Sequence, residues 1–195
     1  MGMVNRPSKA TTGNAVEVLI EGFLDDPFYV WVTPDQTARV ALLSSLFSLE
    51  VGAAAAHGLL WSDERGVVVL VPPHRQLLDD DQAAEARELV RNAFQRPHQL
   101  MEAYKRRLHD ANPDVDEAWY LQYLAVPASK RSQGQGSSLM CDVLAEIAGA
   151  PLWLHTGRAS TVAFYSKFGL AIAAVTSCEP TGPSVYTLWR GPADQ

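Results

Sequence analysis

The apolar residues in the first third of the chain follow two helical patterns, separated by a polar and proline-containing stretch at residues 25–27. The first pattern has one apolar face, formed by Ala15, Val16, Leu19, Ile20 and Phe23. The second, which begins after residue 34, has an apolar face formed by Val40, Leu43, Leu46, Phe47 and Val51. Gly58 is predicted to end the second helix. The residues between the helices, including Phe28, Tyr29 and Trp31, are predicted to form a loop.

The spacing changes to that of β-strands at residue 59. Residues 59–61 and 67–71 are apolar and flank a polar turn, which predicts a β-hairpin closed by Pro72 and Pro73. Two helical patterns follow at 86–94 and 100–108. The run 119–126 is aromatic and aliphatic apart from Gln122. Such a run is typical of a central strand covered on both faces.

The last third of the chain alternates between the two spacings. After a glycine-containing loop at 131–136, apolar residues at 139–147 predict a helix. A strand at 152–154, a helix at 161–168 and two strands at 170–177 and 185–189 are predicted to follow. Because no change in composition divides the chain, we expect one domain over residues 1–195. Its fold class is α/β (α+β), with a central mixed sheet flanked by helices.

Composition and charge narrow the choice of partners. The chain has 195 residues, of which 47% are hydrophobic and 19% charged, so it can bury a core. The formal net charge is -6, and the basic residues are dispersed apart from 105–107, so we expect no nucleic acid partner. No uninterrupted apolar run reaches about 18 residues, and the first ten carry no apolar signal segment. We therefore expect no membrane association and a cytoplasmic location.

The two cysteines carry no recognisable chemistry. Cys141 lies in an apolar helical pattern and Cys178 at the end of a predicted strand. Their spacing suits neither a metal site nor a disulfide framework, so no metal is expected. We predict two reduced thiols in the core of a cytosolic protein.

One loop combines glycines with the start of a helix. Residues 131–137 lie between the strand that ends at 126 and the helix that begins near Ser137. Glycines allow the backbone to approach a ligand closely, and free N–H groups at a helix start bind phosphate oxygens. A nucleotide P-loop would need Lys where Ser137 stands. A dinucleotide fold would need Gly or Ala at Leu139 and an acidic residue at His155. A turn that binds nothing remains the alternative.

Two motifs in this region resemble those of the Gcn5-related N-acetyltransferases (GNAT). The family's acetyl-CoA loop has a basic residue or Gln, two residues of any kind, Gly, one of any kind, then Gly or Ala. Arg131, Gly134 and Gly136 fill these positions. Residues 154–170 are similar to the family's last helix, in which a tyrosine, here Tyr165, precedes Gly169. The whole-chain pattern resembles the subgroup that contains puromycin N-acetyltransferase.

The resemblance implies that acetyl-CoA is a cosubstrate and that its acetyl group passes to a primary amine by direct attack in a ternary complex. The residues it assigns to acetyl-CoA binding are Leu124, Ala125, Val126, Arg131, Ser132, Gln133, Gly134, Gln135, Gly136, Ser137 and Thr161. Three positions depart from the family pattern. Ser132 stands where the loop usually has its first glycine, Thr161 where an asparagine is common, and His155 where a carboxylate is often found.

The resemblance also assigns catalytic roles. Tyr165 is the candidate general acid for the departing thiolate of CoA. The base is left open between His155, Glu117, Asp116 and a chain of waters. Phe28, Tyr29, Trp31 and Trp61 are candidates for the acceptor pocket, although core packing explains them equally well.

The expected partners are acetyl-CoA and an amine acceptor, and a homodimer is left open. The competing hypothesis is a non-catalytic domain that binds acyl-CoA as a sensor or scaffold. The departures at Ser132 and Thr161 are the features that favour it.

Overall fold

The computed structural model describes residues 9–94, 96–112, 117–177 and 182–192. Its helices are α1 Lys9–Phe23, α2 Pro27–Val32, α3 Gln36–His57, α4 Asp80–Ala93, α5 His98–Asp110, α6 Gln135–Glu146 and α7 Ala159–Ser166, with a 3₁₀ turn at Ala128–Lys130. Its strands are β1 Leu60–Asp63, β2 Gly66–Val71, β3 Trp119–Ala125, β4 Leu152–Thr156, β5 Ala171–Ser177 and β6 Ser184–Arg190.

The segment after α1 is a short helix and not the predicted loop. The side chain of Asp26 accepts a hydrogen bond from the Phe28 backbone N–H at 2.9 Å, and Pro27 occupies the first helical turn. An aspartate N-cap followed by proline is a favourable helix start. Six residues are too few to show helical periodicity, which is why the apolar pattern missed α2. The predicted end of α3 is confirmed, because Gly58 caps it with φ of 71°.

The strands form one six-stranded sheet with the order β1-β2-β3-β4-β6-β5. Strands β3 and β4 are parallel, whereas the other neighbouring pairs are antiparallel. The predicted hairpin is confirmed as β1 and β2. The predicted fold class, a central mixed sheet flanked by helices, is also confirmed.

Two hydrophobic cores lie on opposite faces of this sheet. The residues of β2 alternate between them, with Val67, Val69 and Val71 in one core and Val68 and Leu70 in the other. Helices α1 and α3 cover the first face, and α6 and α7 cover the second. The first face also carries a cluster of aromatic rings in which Tyr123 and Phe47 lie 5.2 Å apart.

Strand β3 contains a bulge at Gln122, the polar residue that interrupts its apolar run. Val69 pairs with Tyr123 and Leu70 with Leu121, so Gln122 is an extra residue opposite β2. With that residue set aside, the side chains of β3 still alternate between the two cores. The bulge therefore allows Tyr123 to face the first core although Leu121 faces the second.

Helix α3 is the most apolar long helix among the residues described. By length and composition it is long and apolar enough to cross a membrane, and part of its apolar surface is buried inside the protein. The core helix of a soluble protein has the same properties. Helix α3 also buries Arg39, whose guanidinium donates to the backbone carbonyls of Leu24 at 2.6 Å and Thr33 at 2.7 Å.

The prediction of a core thiol is wrong for Cys141, which is exposed on α6. The helix buries Leu139, Met140 and Val143, and Cys141 lies on the opposite side of the turn. Cys178 lies outside the described residues.

Candidate active site

The parallel strands β3 and β4 separate along their length. They pair through Trp119 with Leu152 and through Tyr120 with Trp153. Beyond these positions the described residues of the two strands do not pair with each other, although β3 continues to Ala125 and β4 to Thr156. Their facing edges therefore carry backbone N–H and C=O groups that an extended ligand can satisfy.

A cavity of about 910 Å³ extends from this gap to the N-terminus of α6 on one side and to α2, α3, α4 and α5 on the other. Twelve of the thirteen residues predicted for the site line it: Leu124, Ala125, Val126, Arg131, Ser132, Gly134, Gln135, Gly136, Ser137, His155, Thr161 and Tyr165. Gln133 is not among the lining residues, and its side chain donates to the backbone carbonyl of Ser129 at 2.8 Å.

The N-terminus of α6 opens into this cavity without a capping side chain. Gly134 is the N-cap residue, with φ of 81°, and the first turn contains no acidic residue. The backbone N–H groups of Gln135, Gly136 and Ser137 therefore lack intrahelical acceptors, as in any first helical turn. Together with the positive end of the helix dipole they form a site that suits an anion.

The loop before α6 is held in place by Arg131. The guanidinium donates to the backbone carbonyl of Val126 at 3.2 Å and to that of Glu21 at 3.2 Å. The Glu21 carboxylate in turn accepts from the backbone N–H of Ala128 at 3.0 Å. Ser132, where the family has glycine, has φ of 62°, in the left-handed region that favours glycine. The loop thus holds Ser132 in a strained backbone conformation.

Tyr165 lies on α7 and points into the same cavity. Its side chain is 9% exposed, and its ring lies 5.0 Å from that of Phe164. In the described part of the chain, its hydroxyl has no hydrogen-bond partner. Burial raises the pKa of Tyr165, so the hydroxyl keeps its proton at neutral pH and can donate it.

His155 lies at the C-terminal end of β4, also beside the cavity. Its Nδ1 is 3.3 Å from the hydroxyl of Tyr120. Its Nε2 is buried and has no hydrogen-bond partner within the described ranges. Burial lowers the pKa of His155 to about 4, so the imidazole is neutral at pH 7 and a weak proton acceptor.

Of the other predicted residues, some line the cavity and others lie outside it. Thr161 is at the cavity, but its hydroxyl is already within 2.8 Å of the Arg158 carbonyl and 2.6 Å of the Thr156 hydroxyl. Glu117 is not a lining residue; it is exposed and lies 3.2 Å from His74. The remaining candidate base, Asp116, lies outside the described residues.

The aromatic residues predicted for the acceptor pocket are also divided. Phe28 and Tyr29 line the cavity, whereas Trp31 and Trp61 do not. Trp31 is buried in a third apolar cluster with residues of α3, α5 and β6.

Two buried carboxylates at the cavity were missed by the sequence reasoning. Asp26 accepts the N-terminal N–H of α2 and lies 3.8 Å from Nε of Arg158. Glu50, on α3, accepts a hydrogen bond from the Tyr123 hydroxyl. The signal for Glu50 was its position, because it follows Phe47 by three residues and Leu43 by seven on the apolar face. An acidic residue on the apolar face of α3 is buried together with the apolar residues of that face.

Glu50 and His155 should have opposite effects on the pH dependence of stability. Burial raises the pKa of Glu50 from 4.5 to about 7 and lowers that of His155 from 6.5 to about 4. Between pH 4.5 and about 7, Glu50 is therefore protonated more in the native state than in the unfolded state. The free energy of unfolding falls as the pH rises through this range. For His155 the unfolded state holds the extra proton, so stability falls as pH drops from about 6.5 to 4.

Replacing Glu50 by Gln should therefore stabilise the protein at pH 8, by on the order of 3 kcal/mol, and by much less at pH 5. Urea unfolding of the variant and the wild type at both pH values measures this difference. A variant destabilised equally at both would contradict the buried, unpaired carboxylate.

No protein-family model matches the sequence, and no curated protein matches it. Solved structures do match. One, described as histone acetyltransferase HPA2 and related acetyltransferase from Corynebacterium glutamicum, is 21% identical over 97% of this chain and 95% of that chain, with a TM-score of 0.68. One described as a GNAT-family acetyltransferase from Desulfovibrio desulfuricans is 12% identical over 94% of both chains, with a TM-score of 0.53.

A third match is arylalkylamine N-acetyltransferase 2 from Aedes aegypti. It is 12% identical over 95% of this chain and 96% of that chain, with a TM-score of 0.54. At these identities the likeness concerns the path of the backbone and not individual side chains. Within the described ranges, no group of three His, Cys, Asp or Glu residues could hold a metal ion. The chain has the fold of the GNAT acetyltransferases.

Proposed function

We propose that the protein is an acetyl-CoA-dependent N-acetyltransferase that transfers the acetyl group to a primary amine of a small molecule. The observation that carries this proposal is the continuity of the cavity. One space contains the N-terminus of α6, which suits a pyrophosphate, and the unpaired edges of β3 and β4, which suit an extended arm with amide groups. The same space continues into a pocket with a buried carboxylate, which suits a cationic acceptor.

A different group of the chain would bind each part of acetyl-CoA. The first-turn N–H groups of α6 would bind the pyrophosphate. The backbone of Leu124, Ala125 and Val126 would bind the pantetheine arm on the unpaired edge of β3. The backbone N–H of Val126 would polarise the thioester carbonyl and stabilise the oxyanion of the tetrahedral intermediate. Acetyl-CoA supplies the activated acetyl group.

Acetyl transfer then requires one proton to leave the nitrogen and one to reach sulfur. The neutral amine attacks the thioester carbonyl carbon, and the C–S bond breaks as the tetrahedral intermediate collapses. Tyr165 would protonate the departing thiolate; this role is supported by its hydroxyl, which is protonated at neutral pH and has no protein partner in the described residues. His155, with a pKa of about 4, is a poor base at neutral pH.

The puromycin N-acetyltransferase subgroup, a cytoplasmic location and a homodimer stay predictions from the sequence. The competing hypothesis is an acyl-CoA sensor or scaffold. Ser132 adopts φ of 62°, a backbone conformation that glycine favours. Thr161 remains a departure, because its hydroxyl is bonded within its own turn.

A thiol-release assay tests the proposal. The protein is mixed with acetyl-CoA and a panel of amines containing an arylalkylamine, a polyamine, an amino sugar and an amino acid. We expect amine-dependent release of CoA thiol with at least one member, and an acetylated product of the corresponding mass. Saturable binding of acetyl-CoA without thiol release from any amine would favour the sensor.

A further inference from the structure

The half of the cavity away from α6 is lined by the buried carboxylate of Glu50. Glu50 is 7% exposed and lines the cavity beside the aromatic rings of the first core. Among the described residues it accepts a hydrogen bond from the hydroxyl of Tyr123, which is 73 residues away in sequence. The hydroxyl of Tyr29 interacts in turn with that of Tyr123. The carboxylate is thus fixed in position by neutral phenols.

Glu50 has no cationic partner in the described part of the protein. The groups that face it are Tyr29 from α2 and Tyr120 and Tyr123 from β3, all of them uncharged at neutral pH. The acidic residues of α1 are exposed, and Arg87 of α4 is an exposed lining residue that forms no ion pair with Glu50. A buried carboxylate without a counter-ion is costly. A bound cation would remove that cost.

Asp26, the other buried carboxylate, is a weaker candidate for the same role. It accepts the Phe28 backbone N–H at 2.9 Å and already lies 3.8 Å from Nε of Arg158. Its charge is therefore used at the start of α2, whereas that of Glu50 is not balanced.

The walls around this end of the cavity are apolar. They are formed by Leu46, Phe28, Val90, Met101, Tyr104 and Leu108. The rings of Phe28 and Tyr104 lie 5.5 Å apart and form one wall. Lys105, at the same end, is already 3.2 Å from Glu102. A ligand that fits has one positive charge, directed at Glu50, and an uncharged apolar body.

We propose that the acceptor is a primary amine on an aromatic or alkyl body, and that Glu50 binds its ammonium group and accepts its first proton. This inference rests on the proposed function for the transfer step alone. One N–H bond of the ammonium breaks, and its proton moves to a Glu50 carboxylate oxygen. The resulting lone pair on nitrogen forms the C–N bond to the acetyl carbon.

Three further proton transfers complete the reaction. When the C–S bond breaks, the thiolate takes the proton of Tyr165. The second proton shed by nitrogen, as the amide forms, returns through solvent to the Tyr165 phenolate. Glu50 releases its proton to water after the product leaves. One amine, in its ammonium form, and one acetyl-CoA thus give one amide, one thiol and one proton.

The pH profile follows from the same arrangement. Because the pKa of Glu50 is about 7, kcat/KM for an ammonium substrate should rise with an apparent pKa near 7. The hydrogen bond from Tyr123 lowers the pKa of Glu50, so Tyr123→Phe should move this limb to higher pH. Glu50→Gln should abolish the limb and leave a rate that keeps rising as the free amine is deprotonated.

The experiment compares Glu50→Gln with the wild type, using 2-phenylethylamine, hexylamine, spermidine and glucosamine as acceptors. We expect the first two to have kcat/KM values about 10-fold or more above those of the polar pair. Glu50→Gln should lower kcat/KM for 2-phenylethylamine by about 100-fold or more at pH 7.5, with the dissociation constant for CoA within 2-fold of the wild-type value. The matched control, Glu17→Gln on the exposed side of α1, should behave as the wild type does.

Calorimetry of 2-phenylethylamine with the CoA-bound protein separates binding from turnover. Weakened binding in Glu50→Gln would uphold the ammonium site even if no thiol were released, and the proposed function alone would then fail. The inference is overturned if the wild type is active and Glu50→Gln binds 2-phenylethylamine equally well and shows the same rise of kcat/KM near pH 7. It is also overturned if the polar amines are the better acceptors.

Discussion

Replacing Gly136 by Asp is expected to weaken acetyl-CoA binding by about 100-fold or more. Gly136 is in the first turn of α6 and lines the cavity where the pyrophosphate is proposed to bind. A carboxylate there repels the phosphates and competes for the same N–H groups, and a repulsion of about 3 kcal/mol gives this loss. The free protein should be slightly more stable, because an acidic residue favours a helix N-terminus. Titration calorimetry and thermal unfolding measure the two effects.

Gly136→Asn is the matched control for the size of the new side chain. A Cβ at residue 136 would meet Phe164 at 3.5 Å and Val126 at 3.7 Å, which are ordinary contacts. The neutral amide should therefore cost much less affinity than the carboxylate. Equal affinities in the wild type and Gly136→Asp would remove the phosphate site from the N-terminus of α6.

The second large effect is expected from Tyr165→Phe, which should reduce turnover by about 100- to 10,000-fold. The substitution removes the proposed proton donor to the thiolate and keeps the ring in the core. Since the Tyr165 hydroxyl has no hydrogen-bond partner in the described residues, thermal stability and acetyl-CoA affinity should stay close to the wild-type values. Steady-state rates of thiol release at saturating substrates measure the loss. A free thiol is a fair leaving group, so a loss near 100-fold is compatible with the role.

Tyr186→Phe is the control for removal of a phenol from the same hydrophobic core. Tyr186 packs on the second core from β6 and is not a lining residue of the cavity. Its loss should leave the rate unchanged. If Tyr165→Phe turned over at the rate of Tyr186→Phe, water would be the acid and Tyr165 a core aromatic.

The elements that carry periodic or motif signals could be predicted from the sequence. The apolar face of α3, the hairpin and the run that forms β3 each reflect one local spacing. The site residues of the loop before α6 were found by a motif with fixed glycine positions, and Tyr165 by a second one. Their meeting in one cavity follows from β3 and β4 being parallel neighbours, whose C-terminal ends lie at the same edge of the sheet.

The rest depends on contacts between distant residues. Glu50 becomes a buried carboxylate at a cavity only because β3 brings Tyr123 against α3. Strands β3 and β4 separate because few of their residues pair with each other. The number of paired residues is not encoded in local sequence patterns. Gln122 was visible as a polar interruption, but its extra place opposite β2 is a property of the pairing. The exposure of Cys141 likewise follows from which side of α6 faces the sheet.

The most direct measurement is a crystal structure of the protein with CoA bound. The pyrophosphate should lie on the first-turn N–H groups of α6, the pantetheine arm between β3 and β4, and the thiol beside the hydroxyl of Tyr165. The carboxylate of Glu50 should face the sulfur across an empty acceptor space. CoA bound elsewhere on the surface, with the gap between β3 and β4 unfilled, would contradict the proposed acetyl-transfer site.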